Sequence, residues 1–402
     1  MRHSKLQLKF TIATMTAVLA LAATAATAIA APEKSQRPVC PGPSAVGTAL
    51  CHAHVVTDQK GAPLAGATPK GYGPAQFRGA YGLPTTTTAS ATQTIAIVDA
   101  YDDPNIANDL NAYNSQFGLP PCNSTNGCFQ KVNQNGAAGP YPSANSGWAL
   151  EIALDVEVAH ATCQNCKILL VEASSASLAN LAAAVNTAAA LGATEISNSY
   201  GGSEFSGELN DLAYKHPGVA VTVASGDNGY GSFGYPAASP YVIAVGGTTL
   251  TVGAGNTYGG ESAWSGAGSG CSSYMSAQSW QVSDPNWALT GCGAKRGVAD
   301  VAADANPSTG AAVYDSVKYQ GRSGWFQVGG TSLSSPLIAA VYALAGNASS
   351  AIYPASIPYA NRSLLNDVTQ GSSGSCSTTM CKAASGYDGP TGLGTPRGTG
   401  AF

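Results

Sequence analysis

Charge is what this sequence has least of. Only 18 Lys and Arg and 22 Asp and Glu occur in 402 residues, 10% of the chain, against 44% apolar residues. A disordered chain needs the reverse balance, so disorder is excluded. The basic residues are few and the formal charge is −4, the wrong sign for binding a phosphate backbone. Histidine is scarce, with 5 in all. Beyond residue 30 no apolar run is long enough to span a bilayer. Glycine (48) and proline (23) are plentiful but keep no three-residue period, which excludes a collagen-like fibre.

The chain opens on a leader pattern. Arg2, His3, Lys5 and Lys9 precede an apolar run from Phe10 to Leu21, and Ala28-Ile29-Ala30 offers a cleavage site before Ala31. This predicts a secretory signal peptide over residues 1–30 and a secreted, extracellular protein. Its removal takes away Arg2, Lys5 and Lys9 and no acid, moving the formal charge from −4 to −7. A sparsely charged surface suits a protein that must tolerate acid, where paired carboxylates lose their partners.

Ten cysteines fall in neighbouring couples: Cys40 and Cys51, Cys122 and Cys128, Cys163 and Cys166, Cys271 and Cys292, Cys376 and Cys381. An even, locally paired set predicts disulfides made in an oxidising compartment. Neighbour pairing is the simplest of many connectivities. Cys163 and Cys166 read as a structural disulfide rather than a redox or zinc pair.

Residues 31–70, rich in Pro, Ala and Gly, read as an extended N-terminal arm, and residues 71–402 as one domain. Apolar, β-branched segments at Thr94–Asp99, Lys167–Glu172, Glu195–Ser197, Val219–Val223 and Tyr241–Val245 read as strands. They alternate with helical stretches over Pro104–Phe117, Gly147–Ala161, Ser177–Leu191 and Gly207–Tyr214. The alternation predicts an α/β fold, a doubly wound and mostly parallel sheet with helices on both faces. The Gly/Ser-rich stretch Gly253–Ser276 reads as irregular surface.

One turn offers a nucleophile. Gly329-Gly330-Thr331-Ser332 leads into an apolar helix, whose N-terminal amides can also hold a developing oxyanion. An ordinary helix cap produces the same pattern. A serine nucleophile needs a base. His52 and His54 lie in the arm and His160 and His216 near helix ends; all four read as surface or packing residues. The base is then sought among carboxylates. Glu151 and Asp155 stand at i,i+4 on one helical face, with no Lys or Arg between Leu150 and Thr162. Such a pair is buried, repels itself if doubly ionised and shares a proton. Glu157 points the other way and reads as solvated. Asp227, in Ser225-Gly226-Asp227 after a strand, is either a turn residue or a buried neutral acid that donates a hydrogen bond. Asp99, ending the first strand, reads as a loop or capping residue.

Together these residues resemble the sedolisin family, the serine-carboxyl peptidases with a subtilisin-like fold. The matching pieces are Glu151 and Asp155, Ser225-Gly226-Asp227, and Gly330-Thr331-Ser332 with Pro336 beyond. Tyr72-Gly73-Pro74 and Tyr81-Gly82-Leu83-Pro84 also look like the opening of the family's catalytic domain, so the resemblance spans about residues 70–402. It implies that Ser332 is the nucleophile, Glu151 the general base, Asp155 its orienting partner and Asp227 the oxyanion stabiliser. Ser199, Tyr200 and Gly201 would form the strand edge that pairs with a peptide or protein substrate. The resemblance also implies one Ca2+ ion, held by the carboxylates of Asp367 and Asp388 and the carbonyls of Val368, Ala384 and Gly386. An all-oxygen set suits that hard cation. A monomer without nucleic-acid or membrane partners completes the expectation. Family members usually carry a large folded pro-domain, for which residues 31–70 are too short. That departure leaves a catalytically silent extracellular binding protein as the rival reading.

Overall fold

A computed structural model describes Met1 and residues 34–42 and 45–402. Apart from Met1, the expected signal peptide lies outside the described residues.

The chain begins with four short strands: β1 (Gln36–Pro38), β2 (Leu50–Cys51), β3 (His54–Val56) and β4 (Ala65–Gly66). Helix α1 (Pro74–Tyr81) leads into an alternation of β5 (Thr94–Ala100), α2 (Ile106–Phe117), β6 (Phe129–Asn133), α3 (Ser146–Thr162), β7 (Lys167–Ala173) and α4 (Leu178–Ala190). Then come β8 (Glu195–Asn198), β9 (Tyr200–Gly201), β10 (Ala220–Ala224), β11 (Ile243–Val252), β12 (Tyr258–Ala263) and β13 (Gly270–Ser276). Short α5 (Ser279–Val282) precedes β14 (Lys295–Val298), β15 (Val301–Asp304), the hairpin β16 (Ala311–Tyr319) and β17 (Arg322–Gly329), and α6 (Thr331–Ala345).

The main sheet has eight strands in the order β12-β11-β10-β8-β5-β7-β6, with β15 also on β11. Every pairing in it is parallel except β11 with β12. In β5 six successive residues are buried, so both faces of this central strand are covered, as parallel sheets require. Helices α3 and α6 pack on each other and on β5, while α4 packs on β5 and β7. The fold is therefore the expected α/β arrangement around a mostly parallel sheet.

Two helices present the functional residues. In α3 every residue from Gly147 to Thr162 is buried, and the Asn145 side chain caps it by accepting from Gly147 and Trp148. A helix buried all round has no solvated face, so Glu157 is fully buried rather than solvated. Its Oε2 accepts from the Tyr314 N–H at 3.0 Å. Helix α6 starts after Gly330, whose φ of 100° admits glycine almost alone.

Two segments differ from the sequence reading. Gly207–Tyr214 is not an α-helix; only a 3-10 turn forms over Ser206–Asn210, because Gly, Asn and Asp favour turns over a helical interior. Gly253–Ser276 carries β12 and β13, paired with β11 and β14, so tertiary pairing overrides a Gly/Ser-rich composition. The cysteines form the five neighbour disulfides, Cys40–Cys51, Cys122–Cys128, Cys163–Cys166, Cys271–Cys292 and Cys376–Cys381.

The N-terminal strands join the body. A second sheet runs β1-β3-β17-β16, with β4 also on β17, and β2 pairs with β9.

Candidate active site

Ser332 is the second residue of α6 and fully buried. Its hydroxyl donates to the Ser199 carbonyl at 3.2 Å, and its N–H donates to the His52 carbonyl at 3.3 Å. Asp227 follows β10, near the carboxyl end of the strands, where ligands bind in open α/β sheets. Its Oδ1 accepts from both the N–H and the hydroxyl of Thr331 at 2.8 Å. Its buried Oδ2 has no hydrogen-bond partner and stands 3.7 Å from His54 Nε2. Burial pushes the Asp227 carboxyl up to about 7, against the lowering effect of the two Thr331 bonds.

Glu151 and Asp155 project from α3 and are fully buried, and none of their four oxygens meets hydrogen-bond geometry. The Glu151 pKa is well above the ordinary carboxylate range. Burial is the largest cause, then the charges of Asp155 and Asp99; the Ser332 side chain acts on it in the opposite sense. Ser332 thus sits near enough to influence Glu151, although its hydroxyl here points to Ser199. Burial also raises Asp155, with the Ser199 side chain opposing. The structure therefore brings Ser332, Glu151, Asp155, Asp227 and Ser199 together.

Asp99 joins them. It is not a cap: Asn105 precedes α2, and Asp99 is fully buried in β5 with both oxygens unpartnered. Burial and then the charges of Asp155 and Glu172 hold its pKa well above the usual value. The available signal was an acid inside an otherwise apolar strand.

The edge at Ser199–Gly201 is taken. Tyr200 turns its ring inward, where its hydroxyl donates to Asn198 at 2.8 Å, so the backbone is what this segment offers. Leu50 and Cys51 of β2 pair antiparallel with Gly201 and Tyr200. His52 and His54 are accordingly not remote packing residues. His54 packs edge-on against Trp264 and faces Asp227. Burial lowers the pKa of each to about 4, with His54 adding to the effect on His52. Beyond His52 a cleft of about 770 Å³ runs past Gly201, Glu204, Asn228 and Phe233.

The C-terminal loop holds the residues read as calcium ligands. Asp388 Oδ2 accepts from the Ala384 N–H at 3.0 Å, and both Asp367 oxygens accept from the Gly386 N–H. Burial raises Asp388 to about 8, and the Asp367 charge adds to it. Among the described residues no hydrogen bond reaches the carbonyl oxygens of Val368, Ala384 or Gly386. Two carboxylates and three carbonyls without a hydrogen-bond donor form an all-oxygen set of the chemistry a hard divalent cation takes.

Residues 132–378 match the Subtilase family. Sedolisin of Pseudomonas sp. (strain 101) is 28% identical over 373 residues, covering 82% of this chain and 60% of the relative. Kumamolisin of Bacillus sp. (strain MN-32) is 30% identical over 370 residues, covering 83% of this chain and 63% of the relative. The structure of Pseudomonas sedolisin, a serine-carboxyl proteinase complexed with two molecules of pseudo-iodotyrostatin, gives a TM-score of 0.67 at 29% identity. It covers 82% of this chain and 96% of that one. Sphericase, at 18% identity and a TM-score of 0.51, shares the fold. The chain belongs to the subtilase family of serine-type peptidases. Within it, the carboxylates around Ser332 and these relatives place it in the sedolisin family. It spans about 60% of the length of the first of those curated relatives.

Proposed function

We propose that this chain is a secreted serine-carboxyl peptidase that hydrolyses peptide bonds in acid through an acyl-enzyme. The observation that carries the reading is the convergence of Ser332, Glu151 and Asp155 with Asp227, whose buried Oδ2 lacks a partner. Glu151 takes the Ser332 proton as the hydroxyl attacks the substrate carbonyl carbon. Asp155, with Asp99 behind it, sets the proton affinity of Glu151. The oxyanion receives the Ser332 N–H and the proton of a neutral Asp227. Glu151 returns its proton to the leaving amine, and water then cleaves the ester by the same route. The Ser199–Gly201 edge aligns the substrate backbone.

Asp367, Asp388 and the carbonyls of Val368, Ala384 and Gly386 would hold one Ca2+, which ties the C-terminal loop to the body. Binding to the folded state alone raises stability, by about 2.7 kcal/mol at a hundredfold excess over Kd. Melting midpoints in calcium should exceed those in chelator; coincident midpoints across free calcium remove the ion from the reading. The leader pattern and the five disulfides support secretion. The substrate is a peptide or protein, and the enzyme acts as a monomer.

The central test is Ser332→Ala. We expect the variant to fold with unchanged circular dichroism and to turn over no peptide at acid pH. Retained turnover rejects Ser332 as the nucleophile.

A further inference from the structure

We propose that Asp103, Asp109, Asp315 and Glu157 form a second divalent-cation site, filled by Ca2+ and separate from the C-terminal loop. The inference goes beyond the peptidase reading and does not depend on it.

Four parts of the chain meet at this place. Asp103 lies in the loop after β5, Asp109 in the first turn of α2, Glu157 in α3 and Asp315 in β16. None of the four is more than 2% exposed. Glu157 leaves α3 on the side nearly opposite Asp155, so it takes no part in the group around Ser332. Each carboxylate fixes one oxygen on a backbone N–H. Asp103 Oδ1 accepts from Asn105 at 2.8 Å, Asp109 Oδ2 from Ser316 at 2.8 Å, Asp315 Oδ1 from Val317 at 2.7 Å and Glu157 Oε2 from Tyr314 at 3.0 Å. One oxygen from each of Asp103, Asp109 and Asp315 lies within 4.8 Å of those of the other two. Oxygens bound to one Ca2+ at about 2.3–2.6 Å lie within about 5 Å of one another, so this spacing permits a shared ion.

Glu157 brings a fourth donor from a different element. It is fully buried, and its Oε1 has no hydrogen-bond partner. Burial holds its pKa well above the ordinary range, and the charges of Asp109, Asp315 and Asp103 add to that, which places it beside the trio. Asp103 Oδ2 and Asp315 Oδ2 are likewise buried without a partner.

No cationic side chain offsets these acids. Lys131 donates to the Asp103 carbonyl at 2.7 Å, but its ion pairs are with Asp102 and Glu172. Among the described residues no Lys, Arg or His pairs with any of the four carboxylates. Buried acids in that position hold protons or share a cation. Burial, reinforced by the neighbouring acids, lifts Asp103 to about 7 and Asp315 to about 8, and a bound metal displaces such protons. Carboxylates alone, without nitrogen or sulfur donors, suit a hard cation. A cage of buried carboxylates suits Ca2+ rather than Mg2+, which is smaller and keeps several waters. Bound there, the ion fastens α2, β16 and the loop after β5 to α3, the helix that also carries Glu151.

The test counts calcium on the full-length secreted protein, stripped with chelator and dialysed against calcium at mildly alkaline pH, where carboxyls release protons most readily. Wild type should hold two ions per chain. The paired variant Asp103→Asn, Asp315→Asn, which removes two charges and keeps the shape, should hold one, and so should Asp388→Asn. Calcium should still raise the melting midpoint of Asp388→Asn, and should no longer do so once all three substitutions are combined. A single ion that Asp388→Asn loses and the paired variant keeps overturns the new site and leaves the C-terminal one. A single ion with the reverse behaviour supports the new site and removes the C-terminal one. Should the paired variant misfold, long-wavelength diffraction from wild-type crystals soaked in calcium decides. An anomalous peak among the four carboxylates supports the site, and its absence overturns it.

Discussion

In the proposed mechanism one buried acid, Asp227, sets the working pH. Its carboxyl is raised to about 7, so the proton it donates is present below that value and lost as pH rises through it. Activity should therefore fall away on the alkaline side near neutrality. Asp227→Asn donates without a titrating proton, so kcat/KM measured against pH should keep its activity further into the alkaline range. Asp227→Ala should lower kcat by about 10²–10³, the usual effect of losing one oxyanion donor. An Asn variant with the wild-type alkaline limb would separate Asp227 from the pH response. Glu151→Gln should abolish turnover across the range, because an amide cannot accept the serine proton. Glu151 and Asp155 were legible in the sequence because two acids stood on an apolar helix without Lys or Arg. Asp99 and Glu157 were not read as buried: the apolar run around each was a signal, but a single acid in it has no partner to show which way it faces. His52 and His54 escaped for another reason: their place depends on a strand contributed by residues far along the chain.

At the scale of elements, the entry into α6 is the critical joint. Gly330 combines a φ of 100° with a Cα that faces the His52 carbonyl and Asp227 Oδ2. Gly330→Ala adds backbone strain of about 1–3 kcal/mol and a clash in the oxyanion position. Thermal melting should show a lowered midpoint, and peptide turnover should drop well beyond what the lost stability explains. An unchanged midpoint with full activity would show that the turn relaxes without cost. The central strands and the helices α2, α3 and α4 were legible because their periodicity and caps are local. The hairpin β16–β17 and the small strands β1–β4 were not. Strands β3 and β4 are held to β17 across more than 250 positions of sequence, as in the pairing of Val55 with Val328, and β2 is held by the distant β9; short strands of this kind carry little pattern of their own.

The whole molecule is built around buried acids. Burial raises Glu195 and Asp315 to about 8, and Asp227 to about 7. A carboxyl with a raised folded pKa stabilises the fold fully below its unfolded value of about 4 and loses that contribution as pH rises through the folded value. His52 and His54, lowered to about 4, act the other way and withdraw stability as pH falls from about 6.5. The acids outnumber them, with Glu151, Asp155, Asp99 and Glu157 raised as well. Calorimetry should therefore give a higher midpoint near pH 5 than near pH 8. A midpoint that rises steadily toward pH 8 would mean that these carboxyls are ionised and paired in the fold.

The disulfides bear on how such a protein wears out. Each closes a short stretch of chain, from 3 to 21 positions apart, and none bridges distant parts of the fold. A break inside one of these loops leaves the two ends still covalently joined, so a molecule nicked there by its neighbours remains a single piece.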